Sequence, residues 1–143
     1  MTLGKRSLLL SLVALPLGGA RADPSLEAAM RALIGEGRRP QEGGMALRLP
    51  AVAENGAQVP LTVTVESPMT AAEHVAAIHL FATRNPTPGI ASFHLSPALA
   101  RAEVQTRIRL AEDQQVVAVA VMSDGSLRRA AAETRVGTGG CIG

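Results

Sequence analysis

The chain of 143 residues has a single cysteine, Cys141, in the run Val136-Gly137-Thr138-Gly139-Gly140-Cys141-Ile142-Gly143. Four glycines among those eight residues oppose both strand and helix, because glycine loses the most conformational entropy on ordering. The expected product is a flexible arm with Gly137, Gly139, Gly140 and Gly143 as its joints and Cys141 near its tip. Five steps separate Val136 from Cys141, and fully extended they span roughly 17 Å at about 3.3–3.6 Å per residue. A thiol carried that way can be pushed down a narrow channel, and the glycines before it leave no side-chain bulk to block the passage. Nothing nearby in sequence is built to activate the thiol, whose ordinary pKa is about 8.5. Activation is therefore expected from whichever enzyme accepts the arm, which favours a carrier over a thiol catalyst. The bland alternative is a frayed terminus with an incidental cysteine.

The remaining candidates read as structural. His74 and His79 are an odd number of positions apart, which on one strand sends them to opposite faces and makes poor metal-ligand geometry. Each of them, and His94, reads as a satisfied structural or surface histidine. The methionines are scattered singly, so no copper-binding cluster is expected. Phosphate-loop, dinucleotide-loop and serine-hydrolase motifs are missing from the sequence.

The first 22 residues read as a cleaved export signal. Lys5 and Arg6 precede an apolar run from Ser7 to Leu17 that is too short to span a bilayer, and Ala20-Arg21-Ala22 fits a small-x-small cleavage pattern. The expected location is the periplasm, with a twin-arginine-like route favoured by Lys5-Arg6-Ser7-Leu8-Leu9 and Arg21, and no membrane anchor. Cleavage removes three of the 14 basic residues and none of the 12 acidic ones, leaving 11 against 12. The basic precursor thus gives no reason to expect nucleic acid, and Arg38-Arg39 and Arg128-Arg129 read as solvated turn residues. A lone cysteine exported to an oxidising space cannot form an internal disulfide, which marks it as reactive or intermolecular.

The elements that must position this thiol follow from periodicity. With Phe81 and Phe93 as the two aromatic residues, aliphatic side chains must fill the core. Ser25 to Ile34 reads as a short helix capped by Ser25, with Leu26, Met30, Leu33 and Ile34 on one stripe, followed by a polar linker to Gly44. Seven strands are then predicted: 45–49, 59–66, 75–82, 90–95, 104–110, 115–122 and 126–136. Asn55-Gly56, Asn85-Pro86, Glu112-Asp113-Gln114 and Asp124-Gly125 supply turns between them. Spacings of about ten residues are the pattern of a small antiparallel sandwich. The uniformly apolar strand 75–82 is either a core strand or a partner surface. The expected organisation is signal 1–22, helix and linker 23–43, β-sandwich 44–136 and arm 137–143.

Several stretches resemble one family. Leu49-Pro50, Ala53-Glu54-Asn55-Gly56-Ala57 with Val59-Pro60, Asn85-Pro86 with Pro88, Thr106-Arg107-Ile108-Arg109-Leu110-Ala111 and Gly139-Gly140-Cys141 are similar to SoxY, the sulfur-carrier subunit of the periplasmic thiosulfate-oxidising system. The resemblance implies an all-β, immunoglobulin-like sandwich that pairs with a SoxZ-like subunit. It also implies a non-enzymatic carrier that needs no cofactor beyond sulfur bound covalently to Cys141. A haem-containing enzyme would load that residue, a hydrolase would release sulfate from it and a sulfur dehydrogenase would oxidise what remains. The family tail has Gly-Gly-Cys-Gly-Gly, and here Ile142 stands after the cysteine, stiff at χ1 where glycine would bend freely. The competing expectation is an exported interaction module whose cysteine cross-links copies through disulfides.

Overall fold

The computed structural model describes residues 24–137; residues 1–23, with the expected export signal, and the segment 138–143, with Cys141, Gly139, Gly140 and Gly143, lie outside the described residues. Helix α1 (Pro24–Ile34) is followed by nine strands: β1 (Gln41–Glu42), β2 (Met45–Arg48), β3 (Val52–Ala53), β4 (Val59–Val65), β5 (Val75–Ala82), β6 (Gly89–His94), β7 (Ala102–Ile108), β8 (Gln114–Met122) and β9 (Leu127–Val136). All seven predicted strands are present. The other two, β1 and β3, have two residues each and fall where a polar linker and a loop were expected.

Two sheets face each other. One runs β2-β4-β7, and the other runs β1-β9-β8-β5-β6 with β3 added against β9. All pairs among the seven longer strands are antiparallel, whereas β1 and β3 lie parallel to β9. In β4 the alternation is clean: Val59, Leu61, Val63 and Val65 are buried and Pro60 is exposed. Proline is tolerated there because β2 stops opposite Thr62, leaving one flank of Pro60 unpaired. These side chains meet Ile78, Leu80 and Ala82 of β5 and Val116, Ala118, Ala120 and Met122 of β8 in the core between the sheets.

Strand β5 is a core strand, flanked by β6 and β8. Its apolar run is continuous because both faces are covered. The face turned away from the small sheet carries Phe81, which joins Val117, Val119 and Leu127 beneath Leu26, Ala29, Met30 and Ile34 of α1. The helix differs from expectation in two ways. Pro24 opens it, so Ser25 lies inside the first turn; proline suits that position because its missing N–H would be unpaired anyway. Leu33 is 42% exposed, and Ala29 takes its place on the packed stripe. Gly35, at φ 88°, ends the helix and bonds back to the Arg31 carbonyl at 3.0 Å, a left-handed cap that favours glycine.

One arginine pair departs from its turn reading: Arg128 and Arg129 lie in β9, inside the predicted strand 126–136. Arg129 bonds Glu42 of β1 at 2.6 Å, and Arg128 passes over Gly44, where an added Cβ would meet its Nη1 at 2.5 Å. Arg38 donates to the Ile34 carbonyl at 3.1 Å and to the Gly125 carbonyl, tying the end of the helix to the β8–β9 turn.

Candidate functional site

The last residues described before Cys141 are Thr134 to Gly137, and they are held from both sides. The β8–β9 ladder ends at the pair Gln114↔Thr134, so Arg135 and Val136 extend past the end of β8. The Val136 N–H would face an empty position there. The Asp113 carboxylate fills it, accepting that N–H at 2.7 Å. On the opposite flank, β3 runs beside Arg135 and Val136. The Ala51 carbonyl accepts the Arg135 N–H at 2.9 Å, and the Ala53 carbonyl accepts the Gly137 N–H at 2.8 Å. One residue earlier, the buried Thr134 hydroxyl donates to the Pro50 carbonyl at 2.7 Å. Gly137, expected as the first joint of the arm, is bonded at its root.

Asn55-Gly56 shapes the floor of this root. Asn55 Oδ1 accepts the Ala57 N–H at 3.0 Å and the Asn55 carbonyl accepts the Gln58 N–H at 3.2 Å, a side-chain-assisted turn. The Gly56 carbonyl accepts the Leu110 N–H at 2.8 Å. Glycine is required here by space, because an added Cβ would lie 2.6 Å from the Leu110 carbonyl oxygen and 2.7 Å from Val136 Cγ1.

Asn85 braces the same region from behind. Its side chain donates to the Arg109 carbonyl at 2.8 Å and accepts the Ala111 N–H at 3.0 Å and Gln114 Nε2 at 2.9 Å. Gln114 Oε1 in turn accepts the Arg84 N–H at 2.9 Å. The stretches at 53–57, 85–86 and 106–111, separate in sequence, thus meet around the root of the segment that bears Cys141. Beside the root is an open polar cleft of about 550 Å³, lined among others by Thr83, Arg84, Asp113, Gln114, Thr134 and Arg135.

The histidines lie elsewhere. His74 Nδ1 pairs with the Thr70 carbonyl at 3.1 Å. His79 and His94 come together on the outer face of the large sheet, their rings edge-to-face at 6.4 Å, with His79 Nδ1 2.7 Å from Ser92 Oγ. Sequence spacing within one strand missed this pair, since it depends on the β5–β6 register that sets Ala77 opposite His94. Burial, and then the neighbouring His94, push the His79 pKa below its ordinary 6.5. Asp124 is held below the usual carboxylate range by hydrogen bonds from the Ser126 hydroxyl and backbone N–H. Among the described residues no three histidine, cysteine or acidic side chains gather in a way that could hold a metal ion.

The geometry defines a class: a small immunoglobulin-like β-sandwich whose last strand is clamped where it leads to a cysteine-bearing segment. The family follows from comparison with known proteins. The family model of the sulfur oxidation protein SoxY matches residues 30–141, and the chain belongs to the SoxY family. Among solved structures it is similar to the sulfur carrier protein SoxY from Chlorobium limicola f thiosulfatophilum, with 34% identity, 78% of this chain and 96% of that one covered, and a TM-score of 0.64. Superoxide reductase (neelaredoxin) from Ignicoccus hospitalis shares 18% identity, with 66% of this chain and 80% of that one covered and a TM-score of 0.58. Superoxide reductase from Nanoarchaeum equitans shares 11%, with 67% and 98% covered and a TM-score of 0.55. The latter two show a shared fold alone. A search of curated proteins gave no match.

Proposed function

We propose that this protein is a covalent sulfur carrier of periplasmic thiosulfate oxidation and that Cys141 holds the cargo. The observation that carries the reading is the SoxY match, which runs through to Cys141 itself, on a chain 34% identical to a SoxY sulfur carrier. Cys141 is also the one cysteine in the sequence. The clamped root supports it further, since it fixes where the cysteine-bearing segment leaves the fold.

In this reading a haem-containing enzyme joins the Cys141 thiol to the outer sulfur of thiosulfate, forming an S–S bond, releasing a proton and taking up two electrons. A hydrolase then adds water to the terminal sulfone and releases sulfate, leaving a persulfide. A sulfur dehydrogenase takes six electrons from the outer sulfur, which gains three oxygens from water as protons are released, and a second hydrolysis frees the thiol and releases a second sulfate. The carrier supplies no catalytic group; its part is to hold the sulfur and present it. A SoxZ-like subunit completes the carrier.

The test is mass spectrometry of Cys141 in mature protein isolated from cells growing on thiosulfate. Adducts of thiosulfonate and persulfide mass are expected there. Cys141→Ser is expected to keep the fold and the partner complex and to abolish thiosulfate-dependent electron flow. Only unmodified Cys141 in such cells, or normal turnover by Cys141→Ser, refutes the reading.

A further inference from the structure

We propose that His79 and His94 form a site for one divalent late transition metal ion on the outer face of the large sheet, Cu²⁺ in preference to Zn²⁺, with the Ser92 hydroxyl orienting the His79 ring. The inference is independent of the sulfur-carrier reading and uses no residue at the root of the last strand.

Strand register builds the pair. Ala77 lies opposite His94, and His79 lies opposite Ser92, across β5 and β6. His79 and His94 are therefore diagonal neighbours on one face, a spacing that aromatic side chains bridge. Their rings lie edge-to-face with centres 6.4 Å apart. Two imidazoles that share one ion at about 2.0–2.1 Å from each nitrogen have ring centres roughly 5–6.5 Å apart. The pair is at the open end of that range. His94 is exposed and belongs to the edge strand of its sheet, so a small turn of its ring closes the angle without moving the core.

His79 is prepared for the role. It is 5% exposed, and its Nδ1 lies 2.7 Å from Ser92 Oγ. That bond fixes the ring and leaves Nε2 as the free nitrogen. Among the described residues no partner meets Nε2, and no buried side-chain nitrogen or oxygen is without a partner, so Nε2 opens to solvent. A ligating histidine whose other nitrogen is hydrogen-bonded is the ordinary arrangement at metal sites. Burial, and then His94, lower the His79 pKa, which favours the neutral imidazole that binds metal. Adjacent imidazoles repel when both are charged, and an ion held by two neutral rings removes that conflict. The cation on the same cross-strand row, Arg129, lies beyond Val119 and is paired with Glu42 at 2.6 Å.

The donor set selects the ion. Imidazole suits copper and zinc alike, and affinity among the divalent ions peaks at Cu²⁺. Water completes the coordination. Two rings held together outbind one, because the second bond forms within the molecule.

The test is titration of the mature chain with its amino terminus blocked and carrying Cys141→Ser, so that neither terminus nor thiol competes. Cu²⁺ and Zn²⁺ salts alone are the probes. In NMR spectra Zn²⁺ is expected to shift the ring signals of His79 and His94 together, saturating at one ion per chain. His74, whose Nδ1 pairs with the Thr70 carbonyl, is expected to stay unmoved. In calorimetry His94→Gln, a change at an exposed position, is expected to weaken both ions about tenfold or more. Ser92→Ala, which frees the His79 ring, is expected to weaken them about tenfold. Cu²⁺ is expected to bind about tenfold or more tighter than Zn²⁺. Shifts at His74 alone, different midpoints for the two rings, or unchanged affinity in His94→Gln overturn the site. Unchanged affinity in Ser92→Ala refutes the role of the hydroxyl, and Zn²⁺ binding as tightly as Cu²⁺ refutes the choice of ion.

Discussion

Strand β9 is flanked at each end by a two-residue parallel strand, and the two ends are held by different chemistry. At its start, Gln41 and Glu42 lie beside Arg128 and Arg129, and the side-chain tie is the Arg129–Glu42 ion pair, with Glu42 68% exposed. At its finish, Val52 and Ala53 lie beside Arg135 and Val136. There the ties are main-chain hydrogen bonds, the Asp113 carboxylate and a threonine hydroxyl whose residue is 3% exposed. An exposed ion pair contributes about 0–1 kcal/mol and weakens with salt. The bond from the buried Thr134 hydroxyl weakens little with salt and is costly to leave half-made. The firmer attachment is at the end that leads to Cys141.

That contrast is open to direct attack. The largest effect is expected from Gly56→Ala, since the new Cβ would lie 2.6 Å from the Leu110 carbonyl and backbone must move to admit it. A loss of about 2–3 kcal/mol is expected in urea unfolding. A loss below about 0.5 kcal/mol would show that the root is loosely packed. Thr134→Val comes next. It keeps the shape and leaves the Pro50 carbonyl without its donor, for an expected loss of about 1–2 kcal/mol, with faster exchange at Arg135. Glu42→Ala should cost under about 1 kcal/mol, and the difference from wild type should shrink in 0.5 M salt (about half a molar, where screening is strong). If Glu42→Ala proves costlier than Thr134→Val, the ranking of the two ends is reversed.

The gentlest probe is pH. His79 shares a cross-strand row with Ser92, Val119 and Arg129, and Arg129 leads on to Glu42. Its pKa is lowered on folding, so the unfolded chain binds the proton more readily. The stability this gives is complete above the ordinary value of 6.5 and is lost as pH falls below it towards the folded value. His79→Gln should flatten that slope below about pH 6.5. An unchanged slope would place the titration elsewhere.

The helix and the seven longer strands were legible because each is long enough to show a period. Val59, Leu61, Val63 and Val65 alternate in sequence as they do in burial. The strands β1 and β3 were not legible, for two residues carry no period and each exists only because β9 runs beside it. The uniformly apolar β5 could be read as a core strand or a partner surface until its neighbours were known. The motif at 53–57 was visible as a string, but its work was not. Asn55-Gly56 read as a turn and is one, but what requires glycine at 56 is the closeness of Leu110 and Val136, since its φ is not in the left-handed region. Asp113 looked like a turn residue. Its bond to Val136 spans 23 positions and depends on the register at which β8 stops.

The root also bears on the order in which the chain can fold. Thr134 reaches back 84 positions to Pro50, and Arg135 and Gly137 reach equally far to Ala51 and Ala53. Contacts of such separation close late, after the loop entropy between them has been met by the rest of the fold. During synthesis they must wait for nearly the whole chain to be made. A chain misfolded anywhere in the intervening strands has no root, and its cysteine hangs from no defined point. The attachment that leads towards Cys141 therefore also certifies that the sandwich behind it has closed.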